Sequence, residues 1–377
     1  MTLLEKFLLS ILFLLPLTQI INLFQQGALP LYILITIVVC ICCYFFTLYL
    51  IKETMPLLLK AGIQGRDLHK PGTDPIPESI GIVSGPMYLG CVILLQIVYQ
   101  IKLSEFNAGI TSICFMVLLG FMDDVLNVRW RVKIYLSFVS ILPLIVAYSG
   151  STYVLIPKFV KIVFSTAHTA IDIGIFYKIF VTFFSVFCTN SINILAGVNG
   201  LEVGQSIVIG VAVLVLNLLR LNPNDASMDQ EYARFSILLI LPFLAVSFAV
   251  LKFNWCPAKV FVGDTYTYFS GMVLAVVAVI GHFPEMLALF FIPQILNFLF
   301  SLPQLLGFFP MSRHRLPKLN QKTGKLAGQK QHHNLINFWL RIVGPKTEKM
   351  LCIHILVFQA VCCVAAFGIR YLYREFL

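Results

Sequence analysis

Four short polar stretches interrupt an otherwise apolar chain. The first is Gly120-Phe121-Met122-Asp123-Asp124-Val125-Leu126-Asn127, which sets two adjacent carboxylates at the end of a hydrophobic run, with Lys133 shortly beyond. Carboxylates in that setting are costly unless paired or metal-bound. They suit a helix-end pair in water, or a divalent cation with its phosphate: Mg²⁺ takes a few carboxylates plus substrate phosphates, and a lysine ammonium suits a phosphate oxygen. The second stretch runs from Asn190 through Asn193, Gly197 and Asn199-Gly200 to Glu202. Asn190 and Asn193 share a face if the helix continues, and Asn-Gly marks a turn. These asparagines read either as glue between helices or as hard amide-oxygen ligands. The third is Val260-Phe261-Val262-Gly263-Asp264-Thr265, whose aspartate enters an apolar run either as an N-cap or as another hard ligand. The fourth, Ser312-Arg313-His314-Arg315-Leu316-Pro317, is cationic. It reads as lipid-headgroup affinity or as arginine forks for a diphosphate.

The rest of the chain says what must hold these groups. Of 377 residues, 59% are hydrophobic and only 12% charged, and the mean hydropathy is +0.90. A soluble domain carries roughly twice that charge. This excludes an ordinary soluble enzyme, a disordered chain and a disulfide scaffold, and implies an all-α, polytopic integral membrane protein. The ten cysteines show no paired ligand spacing and read as small hydrophobes. The formal charge of +10 is then a matter of topology rather than of nucleic acid.

Apolar runs of spanning length fall near 5–24, 31–53, 82–100, 107–122, 132–149, 173–189, 203–220, 236–253, 266–281, 285–305 and 350–370. The run 107–122 is barely long enough. Residues 1–30 read as a signal segment or an extra helix, and 31–377 as the main transmembrane unit. The polar tract 306–349 reads as a loop or small subdomain. Lysine and arginine concentrate in 54–81, 123–131 and 306–349. The positive-inside rule therefore places those segments, with 190–202 and 254–265, in the cytoplasm. All four polar stretches share that face. A transporter would need polar groups at mid-membrane and on both faces.

At these residues the chain resembles the polyprenyl-phosphate N-acetylhexosamine-1-phosphate transferase superfamily. The resemblance covers roughly 35–377. It is carried by Arg66-Asp67-Leu68-His69-Lys70, Ile76-Pro77-Glu78-Ser79, Gly120 to Lys133, Asn190 to Glu202, Phe261 to Thr265, and Arg313 to Pro317. It implies ten transmembrane helices, with any N-terminal helix as an addition. Arg313-His314-Arg315 stands where bacterial members have a histidine-rich loop, which points to the eukaryotic branch. The implied reaction moves GlcNAc-1-phosphate from UDP-GlcNAc to dolichyl phosphate at the cytosolic face of the endoplasmic reticulum, opening N-glycan precursor assembly.

The resemblance also implies roles. Asn193 and Asp264 would hold Mg²⁺. Asp123 and Asp124 would lie beside the acceptor phosphate, with Lys133 and Arg313 balancing charge. Phe261 would stack on uracil while Leu68 and Asn199 hold its edge. His314 and Arg315 would contact the sugar and its phosphate, and Glu78 and Asn127 would support the site. The implied partners are UDP-GlcNAc, dolichyl phosphate, the bilayer and a second copy in a homodimer, with no nucleic acid.

Overall fold

The computed structural model describes residues 18–19, 21, 31–70, 74–126, 128–155, 170–221, 228–310 and 315–376. The expected first span, 5–24, lies almost wholly outside the described residues, as do Asn127, Arg313 and His314. Among the described residues from 31 onward, eight long helices run in chain order: α1 (Leu31–Lys60), α2 (Gly81–Tyr99), α3 (Ser104–Leu126), α4 (Trp130–Ala147), α5 (Ile175–Ile194), α6 (Leu201–Arg220), α7 (Met228–Asn254) and α8 (Gly263–Ile280). They are followed by α9 (Pro284–Phe290), α10 (Ile292–Leu305), α11 (Leu335–Val343) and α12 (Glu348–Phe376). Among the described residues, α1 to α8 and α12 are each long and apolar enough to cross a membrane. The α9–α10 pair makes one further span. The ten runs expected from residue 31 onward are all present as helices.

Two of them differ in detail from the expectation. The run 107–122 becomes the 23-residue α3, because its polar flanks find partners inside the protein. The buried Glu105 at one end accepts from Ser149 N and Oγ, and Asp123 and Asp124 are held at the other. The run 285–305 is one span bent by 67° at Phe291. Pro293 lies at the start of α10, where a residue without an amide hydrogen is tolerated. The carbonyl of Phe290 at the break instead accepts from Gln359 Nε2 at 2.7 Å, as a polar backbone group inside a membrane requires.

Nearly all of α6 and α8 is buried, whereas α1 and α4 show most of their surface. The core helix α8 packs against α2, α3, α5 and α7. Glycine permits the closest of these approaches. A Cβ on Gly271 would fall 2.4 Å from Cys188 O on α5, and one on Gly81 would fall 2.3 Å from Tyr266 N. The remaining elements are antiparallel pairs: β1 (Gln64–Gly65) with β2 (Ile76–Pro77), β3 (Tyr153–Leu155) with β4 (Ala170–Asp172), and β5 (Lys318–Asn320) with β6 (Lys325–Ala327). The Leu319–Leu326 pair turns inward and exposes Lys318 and Lys325. The ten cysteines are free.

Candidate active site

The loops carrying the polar stretches meet at one end of the bundle. The junction of α3 with α8 organises them. A Cβ on Gly120 would lie 2.5 Å from Thr265 Cα, and one on Gly263 would lie 2.3 Å from Asp124 Oδ2. Gly263 also has φ +70, which favours glycine. The carboxylates of α3 can thus reach the first turn of α8.

Asp124 spends both oxygens there. Its Oδ1 accepts from Asp264 N at 2.6 Å, and its Oδ2 accepts from Thr265 N at 3.1 Å. Oδ2 also takes the hydroxyls of Ser79, at 2.6 Å, and Thr265. A side chain from another helix therefore caps α8, satisfying N–H groups that have no partner within it. Asp123 is buried. Its Oδ1 accepts from Val128 N at 3.1 Å and its Oδ2 from the Tyr268 hydroxyl at 3.2 Å. Lys133 forms a close ion pair with Asp123 Oδ2 and reaches Asp264 Oδ2 at 3.4 Å. One ammonium thus bridges two carboxylates. Asn193 Nδ2 donates to Asp264 Oδ1 at 2.6 Å, whereas Asn190 Nδ2 turns back to Val186 O on its own helix.

Asn193 and Asp264 open onto a cavity of about 510 Å³. Leu68, Glu78, Asn199, Glu202 and Phe261 share its lining. A Cβ on Gly65 would lie 2.9 Å from the Phe261 ring, so that glycine leaves room for the aromatic wall. Phe261 is held extended, its N–H donating to Pro77 O at 2.8 Å while its carbonyl accepts from Ile80 N. Burial, and then the charge of Asp124, raise the Glu78 carboxyl above its ordinary value. Gly200 has φ +84, as the Asn199-Gly200 turn predicts. Glu202 accepts from Gly197 N at 2.9 Å.

The structure thus brings together Asp123, Asp124, Lys133, Asn193 and Asp264 through direct contacts, and Asn193 and Asp264 share the cavity lining with Leu68, Glu78, Asn199 and Phe261. Arg315 stands apart from the cavity lining. Its carbonyl accepts from Asn334 and Asn337, its Nη1 is buried without a protein partner, and burial lowers its guanidinium from its ordinary value.

Sequence reasoning missed the hydroxyl partners Ser79, Thr265 and Tyr268. Tyr268 follows Asp264 by one helical turn, and that spacing is the signal that could have found it. It also missed the set Asp67, His69, Lys70 and Glu348. Ligand atoms of Asp67, His69 and Glu348 lie within 4.8 Å of one another. Lys70 Nζ is 2.7 Å from Asp67 Oδ2 and 3.2 Å from Glu348 Oε2, so an ammonium already supplies the positive charge there. A second set that could hold a divalent cation is Asp264 with Asn193, a carboxylate and an amide that line the cavity. Both are hard oxygen donors that leave room for substrate phosphates.

Comparison with known proteins adds an independent finding. Residues 106–282, which contain Asp123, Asp124, Lys133, Asn193 and Asp264, match glycosyl transferase family 4. Over 351 residues the chain is 48% identical to a UDP-N-acetylglucosamine–dolichyl-phosphate N-acetylglucosaminephosphotransferase of Dictyostelium discoideum, with 86% of each chain covered. It is 40% identical over 315 residues to the protein of that name from Saccharomyces cerevisiae, covering 74% of this chain and 70% of the relative. The corresponding Schizosaccharomyces pombe protein is 37% identical over 341 residues, with 82% and 75% covered.

Proposed function

The chain belongs to glycosyl transferase family 4, and from that premise we infer that it transfers N-acetylglucosamine-1-phosphate from UDP-N-acetylglucosamine to dolichyl phosphate. The products are N-acetylglucosaminyl-diphosphodolichol and UMP. The reaction opens lipid-linked oligosaccharide synthesis in the endoplasmic reticulum membrane. The site faces the cytosol, an orientation supported by the lysines and arginines of 54–81, 123–131 and 306–349. The observation that carries the reading is the juxtaposition of Lys133, Asp123, Asp264 and Asn193 with a cavity walled by Phe261 and Asn199.

An oxygen of dolichyl phosphate attacks the sugar-linked phosphorus, and the bond from that phosphorus to UMP breaks. A phosphate monoester has its second pKa near ~6, so the nucleophile needs no protein base. What the chain supplies is position and charge. Asp123 is itself an anion and would repel a phosphate. Its contribution is to hold Lys133, whose ammonium meets the phosphates. Asp124 is committed to α8 and fixes Asp264. Asn193 and Asp264 would hold Mg²⁺, which when bound neutralises diphosphate charge.

Phe261 stacks on the uracil, with Leu68 and Asn199 at its edge and Glu78 bracing the wall. Arg313, His314 and Arg315 supply cationic charge toward the sugar phosphate, Arg315 from a buried position outside the cavity lining. Asn127, the next residue in sequence after α3, supports the site. The exposed apolar faces of α1 and α4 meet lipid or a second copy of the chain.

The test uses detergent-purified protein, UDP-N-acetylglucosamine, dolichyl phosphate and Mg²⁺. UMP release dependent on both substrates is expected. Folded protein that binds neither substrate and releases no UMP sinks the reading.

A further inference from the structure

The set Asp67, His69, Lys70 and Glu348 stands at the cavity wall, which Asp67 and His69 help to line, and its contacts converge on Asn199. Asp67 Oδ2 accepts from Asn199 Nδ2 at 2.9 Å, and Glu348 Oε1 accepts from Asn199 N at 3.0 Å. Lys70 binds both carboxylates, and His69 Nδ1 lies 3.5 Å from Glu348 Oε1. Asp67 Oδ1 also accepts from His69 N at 3.0 Å. Asp67 and His69 are buried, while Leu68 between them is 59% exposed, and all three line the cavity. Anchoring its two neighbours turns that side chain outward. Burial alone would lower the Lys70 ammonium, but the Asp67 and Glu348 carboxylates raise it.

A side-chain amide has a donor end and an acceptor end. One hydrogen of the Asn199 NH₂ is committed to Asp67, which fixes the orientation of the amide and leaves its carbonyl oxygen, beside the second N–H, for a ligand. An acceptor at that edge pairs with a ring N–H and repels a ring lone pair. Uracil carries N–H at ring position 3, and cytosine carries a lone pair there. Glu348, the first residue of α12, fixes the backbone of the same asparagine from the C-terminal end of the chain.

We propose that Asp67 and Glu348 are positioning residues that lock the polarity of Asn199, so that the cavity selects a base with a ring N–H donor over one with a ring acceptor. The proposal rests on the reading above that this cavity holds the base of the sugar nucleotide. Asp67 sets which end of the amide faces the base, and Glu348 sets where that amide stands. Neither touches the reacting phosphates.

The experiment measures binding of UDP and of CDP to the full-length protein in detergent, for the wild type, Asp67→Asn and Glu348→Gln, together with KM and kcat for UDP-N-acetylglucosamine. The wild type is expected to prefer UDP by about a hundredfold, since a site built to pair with a hydrogen-bonding group rejects the analogue lacking it. An amide in place of the Asp67 carboxylate can pair with either end of the Asn199 side chain, so Asp67→Asn narrows that preference by about tenfold. Glu348→Gln raises KM several-fold and leaves kcat within about twofold, because an acceptor for Asn199 N remains but its tie to Lys70 is weakened. A mere loss of folded protein would lower both nucleotide signals together and leave their ratio unchanged. An unchanged UDP/CDP ratio in Asp67→Asn protein that binds UDP at wild-type stoichiometry, or a fall in kcat at constant KM in Glu348→Gln, overturns the proposal. Wild-type protein that binds no uridine nucleotide overturns the transferase reading and this inference with it.

Discussion

Asp124 of α3 caps the helix that begins beside Asp264: its Oδ1 accepts from the Asp264 amide at 2.6 Å, and its Oδ2 takes the next amide and two hydroxyls. The adjacent carboxylates of α3 therefore differ in kind. Asp123 is paired with the cation Lys133, and Asp124 with neutral donors. One holds the Lys133 ammonium, and the other fixes the first turn of α8 that carries Asp264.

Replacing Asp124 with Ala strands the Asp264 and Thr265 amides and removes a cap, while the Ser79 and Thr265 hydroxyls keep each other as partners. Loss of an N-cap costs about 1–2 kcal/mol, and buried donors left without partners add to that. We expect a lower unfolding temperature in detergent and loss of most UMP release, because Asp264 is no longer aimed. Asp124→Asn keeps one accepting oxygen, so it should recover part of the stability and little of the activity. Wild-type melting and wild-type turnover in the alanine variant would refute this role.

Gly120→Val should be worse than its small volume suggests. Even a Cβ there falls 2.5 Å from Thr265 Cα and 2.8 Å from Asp264 O, both backbone atoms that cannot step aside. The α3–α8 junction must open, and overpacking of this sort typically costs ~1–3 kcal/mol. Activity should fall more steeply than folded yield, since the same shift parts Asp124 from α8. Limited proteolysis and turnover measured on one preparation check this: equal losses in both would point to simple misfolding.

Lys133→Met leaves Asp123 buried without its cation, a change that typically costs ~3–5 kcal/mol. Adding Asp123→Leu removes the stranded charge. The double variant should therefore regain stability, and it should stay inactive because no ammonium meets the phosphates. A double-mutant cycle on melting and on kcat separates the two effects. Turnover that returned with the stability would show that Lys133 serves the fold alone.

Chelation should abolish UMP release, and added Mg²⁺ should restore it. In Asp264→Asn we expect the Mg²⁺ concentration for half-maximal rate to rise by about tenfold or more, because a carboxylate ligand becomes a neutral amide. UMP affinity measured without metal should stay within about twofold. An unaltered Mg²⁺ dependence would place the ion elsewhere.

Much of this was legible in the residues, for reasons that also mark the limit. Apolar run length fixes where helices lie, since ~20 residues span the bilayer, so the spanning helices stand where the hydropathy puts them. The break at Phe291 was not legible, because its freed carbonyl is answered by Gln359 on another helix. The polar stretches announced a site, but not the division of labour in it. Asp264 read as either a cap or a ligand, and the cap turned out to come from Asp124, 140 residues away. Asn190 and Asn193 looked alike, and only tertiary contact separates a side chain turned to its own helix from one turned to Asp264. Glu348 looked like an ordinary helix start, and only the fold brings it to Asn199.

Glu78 gives a prediction in pH. Burial, then the nearby charge of Asp124, hold its carboxyl above the ordinary value of 4.5. The folded state therefore binds the Glu78 proton more tightly than the unfolded chain does. Its contribution to stability is full below the unfolded value and is lost as pH rises through the higher folded value. At neutral pH the ionised Glu78 is a cost that the cavity wall carries. Glu78→Gln removes the titration and keeps the shape. The variant should melt higher than wild type at neutral pH, and the gap should close as pH falls below 4.5. Melting curves collected across that range check the sign: a variant that melts lower at neutral pH would mean that Glu78 is stabilised as an anion.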